Sequence, residues 1–162
     1  MPNGYSIESK TSVKYIGVTI DQCLFFELMA RAIIKKSNAR LKFLYRKQKF
    51  LNQYTRKLLV MSLVQCHFDY ASSTWFNSLT QDLKHKLQVT QNRLIRFVLN
   101  RRPRSHIGKE EFIKLNWLPV ASRVNQIILC RFLKINSKLP HPTQMTILHL
   151  LWIFMKRIQV LG

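Results

Sequence analysis

From Phe26 to Leu44 the apolar residues recur at helical spacing. Phe26, Ala30, Ile33, Ile34, Ser37, Leu41 and Leu44 fall on one side of a helix. Arg31, Lys35, Asn38, Lys42, Arg46 and Lys49 fall on the opposite side at steps of three and four. This pattern predicts a long amphipathic helix beginning at about Leu24, and it constrains everything after it, because its dry stripe must be covered by further apolar faces. The wet side is almost purely cationic. No acid interrupts between Glu27 and Asp69, and Lys36, Arg40, Lys47, Arg56 and Lys57 extend the same block. A solvated face usually mixes signs and gains i,i+4 pairs, whereas a one-sign face forgoes them and repels itself. The stripe therefore points to phosphate contact.

The whole chain shares this bias. Twenty-seven Lys and Arg face seven Asp and Glu, a net charge of +20 that a polyanion would relieve. Nucleic acid is the default partner and an anionic membrane surface the runner-up. At 162 residues, 47% of them hydrophobic, the chain is expected to be one folded domain rather than a disordered tail. Cys23, Cys66 and Cys130 are odd in number and widely spaced, which suits reduced, mostly buried thiols of an intracellular protein. The polar stretch Met1–Ser12 has no signal-peptide core, so the expected location is nuclear or cytoplasmic, not secreted. The apolar run Met145–Met155 is too short for a spanning helix of about 20 residues.

Further elements follow from local signals. Val13 to Ile20 reads as a strand with a bulge or close backbone approach at Gly17. Asn52 is an N-cap for a second helix, and Tyr54 to about Tyr70 is apolar nearly all round, which predicts a core helix. Thr80 caps a third helix with Leu83, Leu87, Thr90, Leu94 and Val98 as its buried stripe, and Pro103 is expected to stop it. Arg93, Arg96, Arg101, Arg102 and Arg104 crowd its end, more cations than a helix dipole explains. A short helix at Lys109–Leu115, a turn at Asn116–Pro119 and a fourth long helix at Val120–Asn136 complete the body, which Pro140–Pro142 ends. The fold class is thus mainly α: a short β element in 1–22, either a hairpin or a strand, a bundle of four or five helices in 23–142, and an unrelated apolar tail at 143–162.

Independent catalysis finds no support in these residues. Two-metal nucleotidyl transfer needs carboxylates placed together, and the acids are scattered with no adjacent Asp pair. His67, His85 and His106 have no activated nucleophile to serve, and four separated glycines make no phosphate loop. No Cys/His spacing suits zinc, so no metal site and no small-molecule substrate is expected. Asp69 is expected to hydrogen-bond structurally, and Trp75 and Trp117 to anchor packing. Phe43, Tyr45, Phe50 and Tyr54 lie among cations, the mixture that stacks single-stranded bases, although helical aromatics are more often core.

Five phrases carry a resemblance. They are VKYIGVTID at 13–21, QKFLNQYTRKLL at 48–59, HFDYASSTWFN at 67–77, LKHKLQVTQNRLIRFVL at 83–99 and IKLNWLPVASRV at 113–124. In this order they resemble the chain after the polymerase core of non-LTR (LINE-type) retrotransposon reverse transcriptases. Tyr15-Ile16-Gly17 is similar to that family's primer-grip motif at the end of the palm, and the basic helices to its thumb, which clamps template–primer through the backbone. The phrase His67-Phe68-Asp69-Tyr70 with Trp75 resembles a family phrase, as do Gln88, Gln91, Asn92, Arg93 and Arg96. Leu115, Trp117, Leu118, Pro119 and Arg123 do so too, with Asn116 in place of glycine.

The resemblance implies a truncated fragment of an RNA-directed DNA polymerase, thumb-like in fold. Fingers and catalytic palm, with its Mg²⁺, would lie upstream, so no cofactor is expected here. Backbone contacts to an RNA/DNA hybrid or duplex would come from Arg31, Lys35, Lys42, Arg46 and Lys49, with Arg93, Arg96, Arg101, Arg102 and Arg104 as a second patch. The alternatives are a non-catalytic cationic interaction module, a peripheral membrane protein or an inert transposon relic.

Overall fold

A computed structural model describes residues 10–136. Two antiparallel strands, β1 (Ser12–Tyr15) and β2 (Val18–Asp21), pair Ser12 with Asp21 and Tyr15 with Val18. Of the two readings of this β element, the hairpin is the one that forms, and the segment Val13–Ile20 is not one continuous strand, because Ile16 (φ 43°) and Gly17 (φ 78°) both turn left-handed in a two-residue loop. Such a turn matches the right-handed twist of the strands, but a β-branched residue at positive φ is strained. The close approach expected at Gly17 is real: a Cβ there would lie 3.4 Å from the Tyr70 ring, whose hydroxyl donates to the Ile16 carbonyl.

The chain enters α1 (Glu27–Arg46) later than periodicity predicts. Leu24 and Phe26 are left-handed, and the Asp21 carboxylate accepts from the Phe25 and Phe26 N–H groups at 3.0 and 2.7 Å. These residues form a turn, not a first helical coil. A 3₁₀ turn (Gln48–Phe50) leads to α2 (Gln53–Val60), whose cap Asn52 accepts from the Thr55 N–H at 2.8 Å.

The core helix expected from Tyr54 to Tyr70 is not uniform. After α2 it widens into a π-helical stretch (Met61–Gln65), with the Cys66 N–H bonded to the Met61 carbonyl five residues back, before α3 (Cys66–Asp69). Val60, Val64 and Phe68 are buried, but Leu58, Met61 and Leu63 face solvent, so only one side of it is core. The thiols of Cys23, Cys66 and Cys130 are likewise exposed, not buried.

A left-handed Ala71 separates α3 from the single turn α4 (Ser72–Trp75). Trp75 is fully buried, with its indole N–H donating to the Tyr70 carbonyl at 3.0 Å. The helix α5 (Gln81–Val98) is capped by Thr80, and all five residues of its expected stripe are buried. Pro103 does not end it. Asn100 (φ 54°) does, in a Schellman arrangement: the Arg101 N–H reaches the Arg96 carbonyl at 2.9 Å and the Asn100 N–H the Phe97 carbonyl at 3.4 Å.

The next helix, α6 (Lys109–Leu115), starts where Glu111 accepts from the Gly108 N–H at 2.9 Å. It ends at left-handed Asn116, again with the Schellman pair of bonds. That geometry explains asparagine where the resembling phrase has glycine, since both tolerate positive φ. The last described helix, α7 (Val120–Asn136), has its Val120 N–H capped by the Gln88 side chain of α5 at 3.0 Å.

The fold is mainly α with a two-stranded element at its start. Because α2, the π stretch and α3 form one rod and α4 adds a turn, the described residues hold about six helical bodies rather than four or five. The core runs from α1 (Ala30, Ile33, Leu41) through α5 (Leu83, Leu87, Leu94) to Val124 of α7. The expected end of the helical body at Pro140–Pro142 and the tail at 143–162 lie outside the described residues.

Candidate nucleic-acid interface

Two long helices form the base of the cationic surface. Arg93 donates to the Asn38 side chain at 3.1 Å, Tyr45 packs edge-on against Phe97 at 5.0 Å, and Gln48 donates to Asn100 at 2.7 Å. Partner numbers rise together, so α1 and α5 run parallel, side by side. Burial pushes the Tyr45 phenol above its ordinary pKa, with the guanidiniums of Arg96 and Arg93 working against the rise.

Along the outer face of α1, Lys35, Lys42 and Arg46 are exposed, as is Lys49 on the 3₁₀ turn. Among the described residues none of the four makes an ion pair. Arg31 is exposed but pairs with Glu27 at 3.3 Å. From α5, exposed Arg93 joins this surface through Asn38, so one residue of the second patch meets the first along the α1–α5 seam.

The remaining arginines divide. Arg102 and Arg104 are exposed on the loop after α5 and, among the described residues, make no ion pair. Arg101 pairs with Glu111 at 3.3 Å. Arg96 is half-buried and donates to the Ser105 carbonyl at 2.8 Å, so it fastens the loop and is not an outward contact. Two cations of the α1–α2 block also turn inward. Arg56 donates to the Phe97 carbonyl at 3.1 Å, and Arg40 donates to the Leu63 carbonyl and to His67. Burial lowers the His67 pKa, and Arg40 and Lys36 push it the same way, which suits a neutral ring accepting from a guanidinium.

Acids are mostly committed to structure. Asp69 and Arg123 form a two-bond pair, one of them 2.7 Å, which holds the Arg123 pKa above its ordinary value against desolvation. The Asp82 carboxyl is lowered first by its bond from Lys86 at 2.6 Å, which outweighs the opposing desolvation. Glu111 is lowered by the Gly108 N–H despite some desolvation. At Asp21 desolvation works upward, but the backbone N–H groups it accepts from outweigh it and the net shift is down.

The primer-grip-like residues sit at the hairpin tip, with Tyr15 and Ile16 exposed and Gly17 against Tyr70. Among the described residues no three His, Cys, Asp or Glu side chains gather to hold a metal. None of the described helices is long and apolar enough to cross a membrane. A cleft of about 160 Å³ lies between the π stretch, α5 and the Asn116–Leu118 turn, and an open groove of about 310 Å³ runs along α7 from Arg123 to Lys134.

The aromatics depart from the core expectation. Phe43, Phe50 and Tyr54 are 56%, 84% and 75% exposed, and of the four only Tyr45 has a ring partner among the described residues. Phe43 lies on α1 but off its buried stripe, whereas Tyr54 begins the helix that the sequence reads as core and is exposed instead.

No family model matches the chain, and comparison with curated proteins and with solved structures finds no significant match.

Proposed function

We propose that this chain acts as the thumb and post-thumb segment of a non-LTR reverse transcriptase, binding template–primer duplex or RNA/DNA hybrid through its backbone without catalysis of its own. The resemblance of the five phrases supplies the family, and the exposed, carboxylate-free row Lys35, Lys42, Arg46 and Lys49 beside Arg93 carries the binding. Lys35 to Arg46 spans about 16 Å at ~1.5 Å per residue. That length covers about five phosphates at ~3.4 Å of axial rise per strand. Such contacts position a duplex without reading its bases, so sequence preference is low. A nuclear or cytoplasmic location belongs to the same reading.

Charge reversal tests it. Lys35→Glu, Lys42→Glu and Arg46→Glu together should abolish binding to a short RNA/DNA hybrid at physiological salt while leaving the circular dichroism spectrum unchanged. Undiminished binding by that variant would refute the proposed face.

A further inference from the structure

We infer that the corner where α1 passes through the 3₁₀ turn into α2 is a stacking platform for unpaired bases of a strand leaving the duplex. This rests on the nucleic-acid reading above and adds a second kind of contact to it. Three rings, Phe43, Phe50 and Tyr54, stand in solvent there, while Tyr45 in the same stretch packs on Phe97. Aromatic side chains ordinarily contribute by burying ~150–250 Å² each, so three left outside within one short segment are unusual.

The rings stand on fixed backbone. The Phe50 and Leu51 N–H groups bond to the Lys47 and Gln48 carbonyls at 3.1 and 3.2 Å, Gln48 is tied to Asn100, and Leu51 packs against the core. Asn52 then caps the turn that carries Tyr54. Rings carried on a fixed backbone can stack bases without ordering the chain beneath them.

Charge decides the occupant. Lys42, Arg46, Lys47 and Lys49 are exposed in the same stretch of chain, and no acid lies between Glu27 and Asp69. A polyanion with π faces complements that surface, as single-strand binders show by combining cations with stacking aromatics. The corner also continues the α1 row in sequence, Lys49 being next to Phe50 and Phe43 next to Lys42, so the rings adjoin the segment proposed to hold the duplex.

The full chain is titrated by fluorescence anisotropy into three hybrids of equal duplex length. One is blunt, one carries a single-stranded overhang, and one carries an abasic overhang with the same phosphates. The base-bearing overhang should bind at least ~10-fold tighter than the abasic one, within the range for one or two stacked bases. Replacing Phe43, Phe50 and Tyr54 together by Ala should remove that gain and leave blunt-hybrid affinity and salt dependence within about twofold. Phe50→Ala alone, at the most exposed ring, should remove part of it with no effect on folding. Equal binding of base-bearing and abasic overhangs, or retention of the gain by the triple variant, would overturn the platform. It would also fall if the rings served only to bind phosphatidylserine vesicles. Failure of the blunt hybrid alone would instead strike the duplex reading.

Discussion

Cutting the pair between Asp69 and Arg123 should loosen the attachment of α7 to the rest of the fold. The two residues lie 54 positions apart and meet through two charge-assisted bonds. Their side chains are 29% and 32% exposed, so the pair is neither dry nor fully solvated. Removing one partner of a buried pair costs ~3–5 kcal/mol and of a surface pair ~0–1. The intermediate exposure places Asp69→Ala and Arg123→Met at about 2 kcal/mol each. Asp69→Ala also deprives the buried Gln65 amide of its acceptor at 3.4 Å. Because both singles break one interaction, the double variant should lose about 2–3 kcal/mol rather than 4, a coupling of ~1–2. Urea denaturation followed by far-UV circular dichroism reads this directly. With a slope of about 1.5 kcal/mol per molar, each single should lower the midpoint by ~1.3 M. Strict additivity, or singles costing under ~0.5 kcal/mol, would show that the pair does not hold the helix.

Two further outcomes follow from local geometry. Gly17→Ala should raise hairpin opening by about 1–2 kcal/mol, measured by amide exchange at Tyr15 and Val18, because alanine resists φ 78° and its Cβ meets the Tyr70 ring. Unchanged exchange would contradict the strained-tip account. His67 has a lowered pKa in the fold, so between its ordinary value of ~6.5 and that lowered value the unfolded chain binds more protons. Stability should therefore fall as pH drops below about 6.5, and His67→Gln should remove part of that slope in urea midpoints at pH 7.5 and 5.5. An equal slope in the variant would exclude His67 as its source.

Much of the secondary structure was legible because its signals are local. Asn52, Thr80 and Glu111 cap helices within three residues of themselves, and Lys109–Leu115 and Val120–Asn136 lie where the pattern puts them. Backbone conformations that depend on distant support were not legible. Ile16 is held at positive φ next to a glycine that touches Tyr70, and Arg40 from α1 serves a carbonyl in the π stretch, which itself shifts the helical phase.

The candidate site divides the same way. The row on α1 is periodic and could be read, but whether an arginine points out or back depends on what lies beside it. Arg96 found the Ser105 carbonyl and Arg56 the Phe97 carbonyl, neither of which spacing reveals. The phrases that carry the resemblance mostly meet one another. Asp69 holds Arg123, Tyr70 holds the Ile16 carbonyl, Gln91 donates to the Leu118 carbonyl at 2.8 Å and Gln88 caps Val120. In this structure they build the frame, and Lys35, Lys42, Arg46, Lys49 and Arg93 lie exposed on its outside.

The most direct test of the central claim is the salt dependence of binding to a short RNA/DNA hybrid, followed by anisotropy. Contact with about five phosphates predicts a log K against log salt slope near −4.5. Neutralising Lys35, Lys42 and Arg46 should reduce it by about 0.9 per charge, to roughly −2. A flat dependence in the native chain, or a slope that those three substitutions leave untouched, would contradict backbone recognition by this face.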